Sequence, residues 1–193
     1  MQTAGPHPIK WTSEEYYRLS DENFFLERRV ELLNGEILVM PRQTETHVIA
    51  LSLTSDALRA AFGPDFWVRY RGPLDLSALT VLDPDIAVVA GSVRSHTGNA
   101  NPTTALLVVE VSDESTMDYD KRRKARVYAV ASVADFWIVN LVERQLEVYR
   151  DPAPDRGSTF ACPYTSRTIL GTGDAIAPLA APTWRVAVAD LLP

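Results

Sequence analysis

The sequence holds a single cysteine, Cys162, and only three histidines among its 193 residues. One cysteine excludes an internal disulfide, and no set of Cys and His has the spacing of a zinc site. We interpret Cys162 as a small buried residue rather than a reactive thiol. No apolar run comes near the roughly 20 residues that span a bilayer, and the N-terminus lacks the apolar stretch of a signal peptide. We therefore expect a cytoplasmic protein that makes no membrane contact.

Excess positive charge is lacking as well, since the net charge is -6. This balance argues against a protein that coats DNA without specificity. No helix-turn-helix, internal repeat or low-complexity segment is visible. The length predicts one domain, and we expect residues 1–11 to be a tail and residues 12–193 to form that domain. The densest basic cluster extends from Lys121 to Arg126. Such a run is as typical of an ordinary solvated helix face as of a surface that binds nucleic acid.

Local patterns predict an α/β (α+β) fold with a central mixed sheet flanked by helices and an N-terminal hairpin. Asn34-Gly35 between apolar residues predicts a hairpin with a two-residue turn. Capping residues and apolar periodicity predict a helix that starts near residue 12, and helices over 44–62 and 118–132. Strands are expected over 66–76, 85–89, 105–111, 135–139 and 145–149, and near 168–170 and 184–188.

Two carboxylates lie at the ends of predicted strands. Asp85 opens one strand, and Glu110 follows five apolar residues in the next. If the strands are neighbours, both side chains can converge on a cation of the hard type, Mg²⁺ or Mn²⁺. The alternative is that Asp85 belongs to an Asp-Pro-Asp turn and Glu110 ends its strand. A buried, unpaired Glu110 would be costly, so it requires a partner or a metal.

The hairpin carries two more acids. Its two-residue turn pairs Leu33 with Glu36 and Glu31 with Leu38, so Glu31 and Glu36 lie diagonally on one side. Considered alone, this pattern is most typical of a solvated hairpin face.

These residues together form an ordered set of short motifs. In chain order they are Glu-Leu-Leu-Asn-Gly-Glu at 31–36, His47, Pro84-Asp85, Val-Glu-Val-Ser at 109–112, Tyr119-Asp120, Lys124, Tyr128 and Phe-Trp-Ile-Val at 136–139. Over roughly residues 12 to 150 the set resembles the Uma-type family, bacterial proteins described as restriction endonucleases within the PD-(D/E)XK nuclease superfamily.

The resemblance implies a restriction-endonuclease-like fold in which Asp85 and Glu110 bind the metal. The superfamily pattern has a lysine two residues after the second acid, where this chain has Ser112. The family's displaced lysine matches Lys124, with Lys121 as the second choice and an ordinary surface lysine as the alternative.

The resemblance also adds two hypothetical members of the site. Glu36 completes the acidic cluster, with Glu31 as its supporting partner. His47 orients a water or contacts phosphate, although a solvated histidine at a helix start is equally consistent with the sequence.

The expected function is therefore a Mg²⁺-dependent nuclease acting on DNA. The alternative is a nuclease-fold module that binds nucleic acid or protein without hydrolysis, which Ser112 and the negative net charge favour. We also expect a homodimer, joined by an exposed apolar segment around Trp184, Val186 and Val188.

Overall fold

The computed structural model describes residue 5 and residues 7–98, 100–153 and 164–193. The interpretation of Cys162 falls outside these described residues. The helices are α1 (Ser13–Asp21), α2 (Glu45–Phe62) and α3 (Ala125–Val130), and α3 directly continues a π-helical segment, Tyr119–Lys124. Short 3₁₀ helices cover Val93–His96 and Val188–Leu191. None of the described helices combines the length and apolar character needed to cross a membrane.

The strands in the described part of the chain form three sheets. They are β1 (Val30–Leu33), β2 (Glu36–Val39), β3 (Phe66–Tyr70), β4 (Leu74–Ser77), β5 (Thr80–Leu82), β6 (Ile86–Ala90), β7 (Leu107–Ser112), β8 (Asp135–Asn140), β9 (Gln145–Pro152), β10 (Tyr164–Leu170), β11 (Ala175–Ile176) and β12 (Val186–Ala187). The central sheet has the order β10-β9-β8-β7-β6-β3, and a second sheet has the order β2-β1-β5-β4. Only β7 and β8 pair in parallel within the central sheet, so the predicted mixed sheet is confirmed.

The parallel pairing of β7 and β8 explains the position of the basic helix, which consists of the π-helical segment and α3. Parallel neighbours need a crossover, and the π-helical segment with α3 supplies it, packing on one face of the sheet. Strand alternation turns Val108 and Glu110 toward this crossover, and turns Val109 and Val111 toward α2 on the opposite face. The basic helix is therefore held directly over the strand that carries Glu110.

The hairpin forms as the sequence predicts. Asn34 and Gly35 both adopt positive φ, 51° and 78°, as a type I′ turn requires. The register pairs Leu33 with Glu36 and Glu31 with Leu38. The chain before α1 already contacts this hairpin, because the Trp11 N–H donates to the Gly35 carbonyl at 3.0 Å.

The prediction of a single strand over 66–76 is wrong. Arg71 adopts a positive φ of 45°, and Pro73 has no N–H to donate. The chain therefore leaves the central sheet after β3 and enters the second sheet as β4. The three-residue strand β5 was not predicted, since three residues are too few to show a period.

The prediction of an exposed apolar segment near the C-terminus is also wrong. Val186 and Val188 are buried, because β12 pairs with β11 and the following 3₁₀ helix packs against α2. Only Trp184, 47% exposed, remains at the surface. The segment thus completes the core of its own chain, and the homodimer loses the surface on which its prediction was based.

Candidate active site

Four of the predicted site residues line one pocket. Asp85 lies just before β6, Glu110 in β7, Lys124 at the end of the π-helical segment and His47 in the first turn of α2. The antiparallel register that pairs Ile86 with Val109 brings Asp85 beside Glu110. All four side chains are buried, with exposed fractions from 1% to 4%.

The Asp85 carboxylate is fixed by hydrogen bonds from two sides. Its Oδ2 accepts from the Val111 N–H at 3.0 Å, and its Oδ1 accepts from Gln43 Nε2 at 3.0 Å and lies 3.2 Å from His47 Nε2. Burial alone would raise the pKa of Asp85. The His47 contact, the Lys124 charge and the Val111 N–H outweigh burial and hold the pKa below its ordinary value. Asp85 is therefore an ionised, oriented acceptor.

Glu110 and Lys124 form a buried ion pair. Lys124 Nζ donates to Glu110 Oε1 at 3.0 Å, and the Tyr128 hydroxyl donates to the same oxygen at 2.5 Å. Lys124 Nζ also lies 3.2 Å from Glu31 Oε1 and 3.8 Å from Asp120 Oδ1. One ammonium group thus lies close to three carboxyl groups.

The surplus of carboxylates changes the titration of the cluster. Burial, together with the charges of Asp120, Asp85 and Glu31, raises the pKa of Glu110 to about 8 despite the nearby Lys124. Burial lowers the pKa of Lys124, but the charges of Glu110, Glu31, Asp120 and Asp85 outweigh burial and hold this pKa above its ordinary value. The site therefore keeps a charged lysine at neutral pH and attracts further positive charge.

The π-helical segment decides which lysine enters the pocket. Asp120 and Lys124 both point inward and are 2% and 1% exposed. Lys121 points toward a different strand, where its Nζ lies 2.6 Å from Glu147 Oε1. Ser112, in the usual lysine position, donates from Oγ to Asp120 Oδ2 at 2.7 Å. Lys124 therefore occupies the pocket, and Lys121 does not.

Glu36 does not join the acidic cluster. It lies beside the hairpin turn with a half-exposed side chain, and it pairs at 3.1 Å with both Lys10 and Arg123. Glu31, further from the turn on the same side of the hairpin, is fully buried and reaches Lys124. His47 is buried beside Asp85, so the solvated alternative for this residue is excluded.

A sequence model of the Uma2 family, described as "Putative restriction endonuclease", matches residues 13–189. The chain belongs to this family. The crystal structure of a "putative nuclease belonging to DUF820" from Anabaena variabilis ATCC 29413 has the same fold. It is 16% identical, with a TM-score of 0.71 over 95% of this chain and 97% of that chain. No protein with a curated description matches the sequence.

Membership of the Uma2 family supports a nuclease-like function in general terms. Arg29, Gln43 and Asp120 also line the pocket, although the sequence interpretation assigned them no role there. Asp120 precedes Lys124 by four residues, so helical periodicity indicates that the two share a face. Arg29 and Gln43 lie in loops and carry no comparable signal.

The donor chemistry of this Uma2 pocket fits a hard divalent cation. Within the described part of the chain, no group of three or more His, Cys, Asp and Glu side chains is arranged to hold a metal. Mg²⁺ does not require one, because it commonly uses one or two carboxylates together with waters and phosphate oxygens. In addition, the buried Glu31 Oε1 lies 3.2 Å from Lys124 Nζ and 3.6 Å from Arg29 Nη2, yet it accepts no hydrogen bond from the described residues. Asp85 and Glu110 therefore meet the number of carboxylates that a Mg²⁺ site commonly takes from a protein.

Proposed function

We propose that this Uma2 protein is a Mg²⁺-dependent nuclease that hydrolyses phosphodiester bonds in DNA. One observation carries the proposal, namely the convergence of Asp85, Glu110 and Lys124 in a single pocket. Two carboxylates can hold a metal ion and a buried ammonium group can stabilise developing negative charge, and together they suit metal-assisted phosphodiester hydrolysis.

Asp85 and Glu110 would hold Mg²⁺, or Mn²⁺ in its place. The ion would supply a bound water of lowered pKa and offset the charge of the scissile phosphate. The Val111 N–H and Gln43 keep Asp85 in one orientation, and Tyr128 does the same for Glu110. These hydrogen bonds hold both carboxyl groups in place, and metal binding would also require Glu110 to release its proton, because its pKa is about 8.

Lys124 would stabilise the negative charge that develops on the phosphate. Its pKa is raised, so it remains an ammonium group at neutral pH. Its position is fixed by Glu31 and Glu110, at 3.2 and 3.0 Å. A fixed charge in a buried site acts as a preorganised electrostatic group. Arg29 lines the same pocket and adds a second positive charge.

Cleavage of supercoiled plasmid in Mg²⁺ or Mn²⁺ tests the proposal. Asp85→Asn should abolish cleavage and Mn²⁺ binding measured by calorimetry. Lys124→Ala should lower cleavage by about 10²–10³-fold, the range for one preorganised group, with Mn²⁺ affinity little changed. Rates are normalised to the folded fraction, measured by circular dichroism.

Two matched variants serve as controls. Asp56→Asn changes an exposed aspartate that pairs with Arg59, and Lys121→Ala changes the lysine outside the pocket. Both folded proteins should cleave at the wild-type rate. Equal activity of Asp85→Asn and wild type would instead reveal a contaminating nuclease and contradict the proposal.

A nuclease-fold binding module remains the second candidate. Two observations favour it, namely Ser112 in the usual lysine position and the occupation of Glu110 Oε1 by both Lys124 and Tyr128. A binding module should retain DNA affinity in EDTA, bind no Mn²⁺ and cleave nothing. A Mn²⁺ titration therefore separates the two candidates.

The homodimer and the cytoplasmic location also stay predictions. Cutting both strands of DNA in one encounter would need two copies of the site. Light scattering should give about twice the chain mass of 21.4 kDa, and a value near 21.4 kDa would exclude the dimer.

A further inference from the structure

A basic groove lies outside the catalytic pocket, along the outer side of the helix that carries Lys124. Arg122, Arg123 and Arg126 line it, together with Val127 and Val130, and its volume is about 580 Å³. None of the described residues that line the groove is acidic. On a chain of net charge -6, this is a local concentration of positive charge.

A smaller depression adjoins both the catalytic pocket and the groove. This depression of about 210 Å³ shares Met40, Pro41, Ser115 and Thr116 with the pocket, and it shares Arg123 with the groove. The path therefore runs from the pocket, between the end of β2 and the π-helical segment, to the three arginines.

One aromatic ring links the two ends of this path. The Tyr119 ring lies 5.6 Å from Lys124 Nζ on the pocket side and 5.8 Å from Arg123 Cζ on the groove side. Arg123 and Lys124 are consecutive residues, so their Cα atoms are only about 3.8 Å apart. The exposed cation of the groove and the buried cation of the pocket are therefore carried by neighbouring backbone positions.

The present partners of two of the arginines are weak competitors for a ligand. Arg122 pairs with Asp118 and Arg123 pairs with Glu36, and all four side chains are at least 44% exposed. Exposed pairs of this kind contribute about 0–1 kcal/mol, so a phosphate can replace the carboxylate at little cost. Arginine is also the side chain that best matches phosphate oxygens with paired donors.

We propose that this groove binds the sugar-phosphate backbone of the DNA strand that flanks the scissile phosphate. This inference rests on the proposed nuclease function. Arg122, Arg123 and Arg126 neutralise successive phosphates, while Val127 and Val130 contact the apolar parts of the strand. The groove thereby directs a strand into the pocket of an otherwise acidic protein.

Fluorescence anisotropy with a labelled DNA oligonucleotide, measured on the full chain in EDTA, tests the inference without cleavage. The double variant Arg122→Ala/Arg126→Ala should raise Kd about 10-fold and reduce the slope of log K against log salt by about 2. The control is Arg18→Ala/Arg59→Ala, which removes two exposed arginines elsewhere with the same change in net charge. It should raise Kd less than about 2-fold.

Equal effects of the two double variants would mean a general charge effect and would overturn the inference. Absence of DNA binding by the wild type would overturn it as well.

Cleavage is measured in parallel on bis(p-nitrophenyl) phosphate, which is too small to reach the groove. The groove variant should keep kcat/KM for this ester and raise KM for plasmid. A wild type that binds DNA through the groove but cleaves neither substrate would refute the nuclease function alone.

Discussion

Glu110→Gln offers a direct test of the charge balance in the pocket. Glu110 shares one ammonium group with Glu31 and Asp120, and its own oxygen accepts from Lys124 and Tyr128. Glutamine has nearly the same shape and can still accept both hydrogen bonds through its carbonyl oxygen. The substitution therefore removes the titration of one carboxyl group with little change in packing.

The size of the effect follows from the two pKa values of Glu110. Its pKa is 4.5 without the protein environment, and burial with the neighbouring acids raises it to about 8 in the folded protein. Between these values the folded state holds a proton that the unfolded state has released, so wild-type stability falls as pH rises. At about 1.4 kcal/mol per pH unit, the free energy of unfolding of the variant gains about 3 kcal/mol relative to wild type from pH 5 to pH 7.

Urea unfolding in EDTA, followed by circular dichroism at several pH values, measures this difference. Glu36→Gln is the matched control, because Glu36 is exposed and its pKa is lowered by hydrogen bonds from Lys10 and Arg123. Its difference from wild type should stay constant over the same range. A constant difference for Glu110→Gln would refute the conclusion that burial and the neighbouring acids raise the pKa of Glu110.

Three further predictions concern stability. Lys124→Met should lower the free energy of unfolding by about 3–5 kcal/mol in urea melts, because it leaves buried carboxylates without their ammonium group. Glu147→Gln should cost about 3 kcal/mol at neutral pH. Lys121, Asn140 and other donors lower the pKa of Glu147 to about 2, so in acid titrations this difference should vanish as pH falls from about 4.5 toward 2. Gly35→Ala should lower the thermal midpoint and cost about 1–2 kcal/mol, because the turn needs φ of 78° and a Cβ would lie 2.8 Å from Lys10 Cβ.

The elements that sequence patterns predicted well are those with local signals. Asn34-Gly35 specified both the turn and the register of its hairpin, because the positive φ values belong to these two residues alone. Thr12 caps the helix whose start was predicted near residue 12, and it forms a capping box with Glu15, three residues further on. The positive φ of Arg71, which separates β3 from β4, could not be predicted from this residue, because residues other than glycine rarely adopt positive φ.

The sequence by itself indicated where the main strands lie and which two acids, Asp85 and Glu110, are candidates for the site. A carboxylate after five apolar residues must have a partner, and this requirement singled out Glu110 before any contact was known. Asp85 was a candidate because it opens the neighbouring predicted strand, the family motif added Lys124, and all three residues lie in one pocket.

Only the tertiary structure decided which of several similar residues meet. Glu31 and Glu36 lie on one side of the same hairpin, yet only Glu31 is covered by the crossover helix. Lys121 and Lys124 are one turn apart, yet the sheet beneath the helix offers Glu147 to the first and Glu110 to the second. Local sequence fixes the face that a side chain occupies, but its partner depends on chain segments far away in sequence. Only the packing of the crossover on the sheet brings those segments together.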